Sequence, residues 1–273
     1  PGSVGKSYSK VQSLGGRVVR LSNGIRYPGC PIITRQSLLG PHLGYAPAMK
    51  KIVIDKPGSY DQLRIENHPD LQPGPGEVLI DVSAIGVNYA DCIIRMGLYA
   101  SAKELKGYPI TPGFEAAGKI VELGSGVTEF ELGQSVMALT LFDGYSSQLV
   151  LPTEKVFAIP EGISEAQAAG FPTVFLTAWF ALCEQARSGK GDAVLIHSAA
   201  GGVGSALCQL AAMRGCVVVG VVGGAHKTSV ARQAGASVVI DKSSQALWPE
   251  AEKAAPQGYQ AIFDANGVST LGQ

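Results

Sequence analysis

The stretch Ala193-Val194-Leu195-Ile196-His197-Ser198-Ala199-Ala200-Gly201-Gly202-Val203-Gly204 decides the fold. It opens as an apolar run of strand length and passes at once into a glycine-rich turn. After the turn Val203, Leu207, Leu210 and Ala211 recur at i, i+4, i+7 and i+8, which predicts an amphipathic helix over 202–214. Strand, glycine turn and helix in that order form a phosphate cradle. Gly201 lets the backbone approach a pyrophosphate, whose charge is favoured by the free N–H groups and dipole of the helix N-terminus. Gly204 lets the helix pack closely on the strand, while the first glycine of the fingerprint is replaced by Ala199. A glycine turn by itself is often only a tight turn, so the dinucleotide reading rests on its surroundings.

Those surroundings alternate. A Val-rich strand over 217–222 is followed by a helix over 225–234 and a strand over 237–240. A helix over 245–255 and a fourth strand over 260–264 complete the run. Continuous apolar strands between helices are expected when both faces of a parallel sheet are covered. The fold class is therefore α/β, with a Rossmann doubly wound parallel sheet. The chain stops soon after the fourth strand, so the sheet is expected to be truncated at the C-terminus or covered by a partner. Upstream lies a helix over 173–187, opened by Pro172. Before it come short strands at 51–55, 63–66, 77–87, 118–123, 135–139 and 148–151, with a helix over 88–96 closed by Gly97. That spacing predicts an antiparallel, barrel-like β domain. The expected organisation is a basic extension over 1–48, a β domain over 49–171 and an incomplete nucleotide-binding domain over 172–273.

Composition excludes several classes. The 273 residues are 46% apolar and 16% charged, which is globular, and the net charge of zero supplies no basic field for nucleic acid. The longest apolar runs, 174–183 and 216–222, fall short of the ~18–20 residues of a membrane span. Five cysteines without a Cys-x-x-Cys argue against a disulfide scaffold or zinc ribbon, and a reducing compartment is the default. His42, His68, His197 and His226 have no metal-ligand spacing. Cys183, Cys208 and Cys216 read as buried, inert thiols, whereas Cys92 is the one candidate for a redox role. Charge is uneven, however. Residues 1–50 contain no Asp or Glu but carry Lys6, Lys10, Arg17, Arg20, Arg26, Arg35 and Lys50. A basic, Ser-rich, acid-free N-terminus resembles an organelle transit segment and suggests a mitochondrial location, against a disordered tail on a cytoplasmic protein.

The cofactor can be narrowed. An NAD site carries Asp or Glu about 20 residues past the glycine turn, at the end of the second strand. No acid occurs from Ala193 to Ile240, and the strand instead runs into Gly223-Gly224-Ala225-His226-Lys227. A carboxylate there would repel a 2′-phosphate, whereas Lys227 can bind one as a point charge, and Lys242 can reach the same end. NADPH is the expected cofactor. Against this stands Lys227 as a solvated residue in the first turn of a helix.

Three further stretches carry a family resemblance: Gly86-Val87-Asn88-Tyr89-Ala90-Asp91, Arg95-Met96-Gly97-Leu98-Tyr99 and Thr111-Pro112-Gly113-Phe114-Glu115-Ala116-Ala117-Gly118. With Ala199-Ala200-Gly201-Gly202-Val203-Gly204, they resemble the medium-chain dehydrogenase/reductase superfamily in its zinc-independent quinone oxidoreductase branch, which includes zeta-crystallin-like and enoyl-reductase-like members. The resemblance covers about 49–267 and implies a GroES-like β-barrel domain beside the Rossmann domain. Zinc-using members have Cys at the position of Asn88 and His at that of Phe114, so no metal is expected. The implied activity is transfer of a hydride from NADPH to a quinone or an α,β-unsaturated carbonyl. The alternative is a non-catalytic accessory subunit of a larger complex, and a homo-oligomer or such a subunit is the expected assembly. Implied cofactor contacts are Asn88, Thr177, Ala200, Gly201, Gly202, Val203, Gly204, Lys227 and Lys242. Asn88 is the implied catalytic residue and Tyr99 the implied substrate residue. Other readings remain open: Asn88 as a helix cap, Thr177 as a helix-interior residue, Tyr99 as a half-buried aromatic. The tyrosine that many quinone reductases carry in the helix after the Asn falls at Ile93 here.

Overall fold

A computed structural model describes residues 17–20, 49–265 and 267. The chain divides after Thr173 into two compact units. Most of the basic segment, 1–16 and 21–48, lies outside the described residues, and with it the transit-segment reading. Within it the backbone of Arg17–Arg20 forms a strand, β1, where the sequence pattern predicts none.

The first unit is built on β4, Glu77–Val87, the longest strand, whose side chains at Val78, Ile80 and Val82 are buried. It pairs antiparallel with β1, with β5 (Glu115–Leu123) and with β7 (Gln148–Pro152). The sheet continues from β5 to β6 (Ser135–Leu139) and β8 (Val156–Ala158). A separate antiparallel pair joins β2 (Met49–Ile54) to β3 (Leu63–His68). The main core gathers Val78, Ile80, Val82, Ile85, Ile120, Val136 and Leu149 between the strands. A second cluster of Ile54, Ile94, Ile110, Phe114 and Phe142 sits under α1, Tyr89–Arg95. Gly97 ends that helical region at φ +75°, a left-handed turn that favours glycine. A two-turn helix, α2 (Ala100–Leu105), and β8 are additional to the elements read from sequence. The last helix of this unit, α3 (Glu165–Ala168), is capped by Ser164, which accepts from Gln167 N.

The second unit is a parallel sheet ordered β11-β10-β9-β12, which is 3-2-1-4 counted from its first strand. The strands are β9 Ala193–Ile196, β10 Val217–Val222, β11 Val238–Asp241 and β12 Ala261–Phe263. On one face Val194, Ile196, Val218 and Val222 pack against Ala206, Leu207 and Ala211 of α5, Gly202–Met213. On the other, Leu195, Val219, Val221 and Ile240 pack against Ala251 and Trp248 of α7, Leu247–Ala254. Burial on both faces is why these strands read as unbroken apolar runs. The single helix expected over 173–187 is instead α4, Pro172–Trp179, followed by a π-helical stretch, Phe180–Gln185. Ala186 N there reaches Ala181 O at 2.9 Å, five residues back. The helix expected over 225–234 likewise begins as a 3₁₀ turn, Ala225–Lys227, before α6, Thr228–Gln233.

Candidate functional site

The functional residues fall in both units, and each group is built by its own neighbours. In the second unit the chain leaves β9 through His197 and turns at Ser198, whose φ of +53° is left-handed. Ser198 O accepts the N–H of Gly201 at 2.7 Å, which closes the turn. Gly201 then occupies the N-cap of α5 without a side chain. The first intrahelical bond runs from Ser205 N to Gly201 O at 2.9 Å. The N–H groups of Gly202, Val203 and Gly204 therefore precede the hydrogen-bonded ladder and face out of the helix end. Gly204 is required where it stands: a Cβ there would lie 2.1 Å from Ser198 O. The position of the missing first glycine is resolved by packing. Ala199 is fully buried, and a Cβ on Gly220 of β10 would come within 2.9 Å of its methyl. The space the fingerprint leaves at one residue is left here at its neighbour across the sheet.

β10 ends in Gly223-Gly224, with no carboxylate at the strand end. Lys242 N donates to Val222 O at 3.0 Å, and the Lys242 Cε lies 4.0 Å from where a Gly223 Cβ would sit. The structure thus brings Lys242 over the end of β10. Lys227 closes the 3₁₀ turn that follows, its N–H on Gly224 O at 3.0 Å. Both lysines are exposed. The nearby acid, Asp241, is turned into its own loop, accepting from Ser243 N at 3.0 Å and Ser243 Oγ at 2.7 Å. Those bonds hold its carboxyl below the usual range. A turn with bare amides and cations at the second strand end fits a dinucleotide bearing a 2′-phosphate. Ala200 lies within the turn, half-buried. Thr177, on α4, lies with Leu176, Phe180, Ala181 and the β12 residues Ala261–Phe263 around an apolar groove of about 660 Å³.

In the first unit Asn88 holds the N-cap of α1, and its backbone N–H donates to the Asp91 carboxylate at 2.8 Å. Its side chain does more than cap. The Nδ2 amide donates at 2.8 Å to Oε1 of Glu115, the first residue of β5. Glu115 is 1% exposed, and its other oxygen accepts the Thr173 N–H at 2.8 Å. Burial pushes the Glu115 carboxyl up, against the pull of Thr173 and Asn88. Asp91 accepts three donors, from Asn88 N, Gly113 N and Tyr145 OH, yet burial raises its pKa to about 6. Phe114 packs its ring 6.0 Å from that of Phe142 and 5.9 Å from that of Tyr99. Tyr99 is thus a half-buried member of this aromatic cluster.

A zinc site fits poorly. An amide nitrogen that donates to a carboxylate and a buried phenyl ring are not the thiolate and imidazole that zinc prefers. Among the described residues no group of three or more His, Cys, Asp or Glu is placed to hold a metal ion. The sequence marks Asp91 only as a member of a longer motif. With Asn88 and Phe114 where zinc-using relatives have ligands, it leaves Glu115 as a structural or hydrogen-bonding residue, and the structure shows it hydrogen-bonded to Asn88 and Thr173. His197 has no metal-ligand spacing, yet its ring is buried with no hydrogen-bond partner on Nδ1.

Comparison with known proteins places these features in a family. Residues 74–170 match the alcohol dehydrogenase GroES-like domain, and residues 202–273 match the zinc-binding dehydrogenase family. The rat synaptic vesicle membrane protein VAT-1 homolog is 33% identical over 226 residues, 82% of this chain and 55% of its own. A solved quinone oxidoreductase of Pseudomonas syringae superposes with a TM-score of 0.73 at 30% identity, covering 82% of this chain and 68% of that one. The Escherichia coli quinone oxidoreductase, solved in complex with NADPH, gives 0.67 at 32% identity, covering 75% and 62%. The chain spans about half the length of the VAT-1 homologs it matches.

Proposed function

From the premise that this chain belongs to the medium-chain dehydrogenase/reductase superfamily, in its quinone-oxidoreductase-like branch, we propose that it is an NADPH-dependent reductase of quinones or α,β-unsaturated carbonyls that works without zinc. The observation that carries the reading is the Gly201–Gly204 turn at the end of β9, with lysines instead of a carboxylate at the end of β10.

In this reading the N–H groups of Gly202, Val203 and Gly204 hold the diphosphate against the positive end of the α5 dipole. Lys242 and Lys227 neutralise the 2′-phosphate. When bound, NADPH supplies the hydride; the chain supplies orientation and polar contacts. Asn88 has a second amide N–H beyond the one given to Glu115. It steadies the charge that gathers on the acceptor oxygen as hydride arrives, and a solvent proton then completes the hydroquinone or saturated carbonyl.

The test is the loss of nicotinamide absorbance when purified protein is mixed with NADPH and a small quinone or enone. Turnover that falls steeply but stays measurable with Asn88→Ala, and is lost with Gly201→Asp, supports the proposal. Cofactor binding without turnover on any such acceptor points instead to an accessory subunit. A clear preference for NADH, or stoichiometric zinc, overturns the cofactor and metal assignments respectively.

A further inference from the structure

Glu115 is a carboxyl group almost wholly removed from water, and the proposed reaction gives it no part. Its two oxygens take Asn88 Nδ2 on Oε1 and Thr173 N on Oε2, donors of the same unit each at 2.8 Å, and the Thr173 side chain also bonds the carboxyl. The space for this arrangement is kept by Gly86 of β4, where a Cβ would lie 2.4 Å from both Cγ and Oε1 of Glu115 and 2.2 Å from Ala169 O. The glycine therefore lets the carboxylate cross the strand to reach Asn88.

We propose that Glu115 is the positioning residue that decides which end of the Asn88 amide is presented to the acceptor. The inference rests on the reading of Asn88 given above. The two ends of an asparagine amide are nearly the same shape, so sterics alone do not choose between them. An ionised carboxylate only accepts, so it takes the NH₂ end and fixes the amide with the remaining N–H as its outward donor. Were Glu115 to present a hydrogen, the amide would turn its oxygen inward and its NH₂ group would be reversed. The titratable group facing this pair is Asp91 of α1, the helix Asn88 caps, whose carboxylate accepts the Asn88 main-chain N–H at 2.8 Å.

Glu115→Gln keeps the volume and removes the acceptor-only character. A glutamine has one acceptor end and one NH₂ end, so either Thr173 N–H or Asn88 Nδ2 meets a donor. With the main-chain bond kept, Asn88 flips. The expected result is a fall in kcat of roughly tenfold to a hundredfold, the range for a misplaced contact group, with NADPH affinity unchanged. In an Asn88→Ala background the same substitution has no further effect, because Glu115 acts through Asn88. Wild-type kcat declines on the acid side as Glu115 takes up a proton, and the Gln variant lacks that limb.

A readout independent of turnover is the side-chain NH₂ resonance pair of Asn88 in ¹⁵N-labelled protein, identified by its loss in Asn88→Ala. These signals move in Glu115→Gln and titrate with acid in the wild type. Turnover within twofold of wild type, additive effects in the double variant, or Asn88 signals indifferent to the substitution would each overturn the assignment. If the wild type reduces no acceptor, the reductase reading fails, and the resonances still decide whether Glu115 sets the amide.

Discussion

Gly204→Ala is the sharpest probe of the cofactor turn, because the structure sets two opposing effects against each other. The new Cβ would sit 2.1 Å from Ser198 O, 2.7 Å from Ser198 C and 3.0 Å from Ala199 Cα. All three are main-chain atoms. Ser198 O is itself held by the Gly201 N–H at 2.7 Å, so no side chain can swing aside and the helix must shift by about 1 Å to restore an ordinary contact. Overpacking of this kind costs about 1–3 kcal/mol, and immovable backbone places it at the upper end. Replacing glycine inside a helix returns about 1 kcal/mol. The expected net loss is about 2 kcal/mol, or roughly 10 °C in Tm for a unit of ~100 residues. The matched control is Gly201→Ala. Its Cβ would lie 3.1 Å from the same oxygen at an unstrained φ of −86°, so the loss is under about 1 kcal/mol. In the proposed reading its methyl stands beside the amides that would hold the diphosphate. Thermal unfolding with and without NADPH, together with NADPH titration by fluorescence, separates the two. Gly204→Ala lowers both Tm and affinity, whereas Gly201→Ala lowers affinity with Tm little changed. A Gly204→Ala protein as stable as wild type, or a Gly201→Ala protein that melts earlier than it, would refute the reasoning.

Charge reversal at Lys242 weakens NADPH binding roughly tenfold or more, the value of a charged hydrogen bond, and leaves NADH binding nearly unchanged; equal losses for the two cofactors would show that Lys242 does not meet the 2′-phosphate. Asp91 gives a pH signature. Burial holds its folded pKa at about 6, above the ordinary 3.8 of an aspartate, so its contribution to stability is present below about pH 4 and is lost as pH rises through 6. Urea unfolding at pH 4.5 and 7 should show the 17–173 unit losing about 2 kcal/mol from this group, and Asp91→Asn flattening that interval. Burial pushes the Cys208 thiol up to about 12, so native protein treated with iodoacetamide at pH 8 should remain unlabelled at Cys208 by peptide mass spectrometry. Labelling there before unfolding would contradict the buried position.

The parts of the fold legible in the sequence are those where one force dominates. Residues 217–222 are apolar without interruption because both faces of β10 are covered, and residues 77–87 show their strand because burial on β4 shows in the sequence as apolar runs. The start of β5 was hidden because Glu115-Ala116-Ala117 is buried throughout and does not alternate. Ala100–Leu105 and Val156–Ala158 are too short for a period to register. The π-helical stretch preserves an apolar run while changing the hydrogen-bond partners, so composition gives no hint of it. In the site, the glycine turn is local and could be read directly. The partners of Glu115 could not, because they lie 27 and 58 residues away in sequence and meet it only in the folded chain. Exchange of space between Ala199 and Gly220 is invisible for the same reason.

The donor chemistry at Asn88 also bears on which acceptors the proposed reaction can serve. A metal ion polarises a carbonyl by several kcal/mol and can drive reduction of a plain ketone. An oriented amide N–H is worth about 3–4 kcal/mol of stabilisation for a developing oxyanion in a dry site, and it brings no net charge. The Asn88 amide is already committed on one side to the Glu115 carboxylate, and that anion opposes further negative charge nearby. Such a site favours acceptors that spread the incoming charge over a conjugated system, because less of it then has to be held at one oxygen. Quinones and enones do this, whereas isolated ketones do not. The same residues that disfavour zinc thus narrow the proposed acceptor class, and among closely related acceptors the rate should rise with the extent of conjugation more steeply than with size.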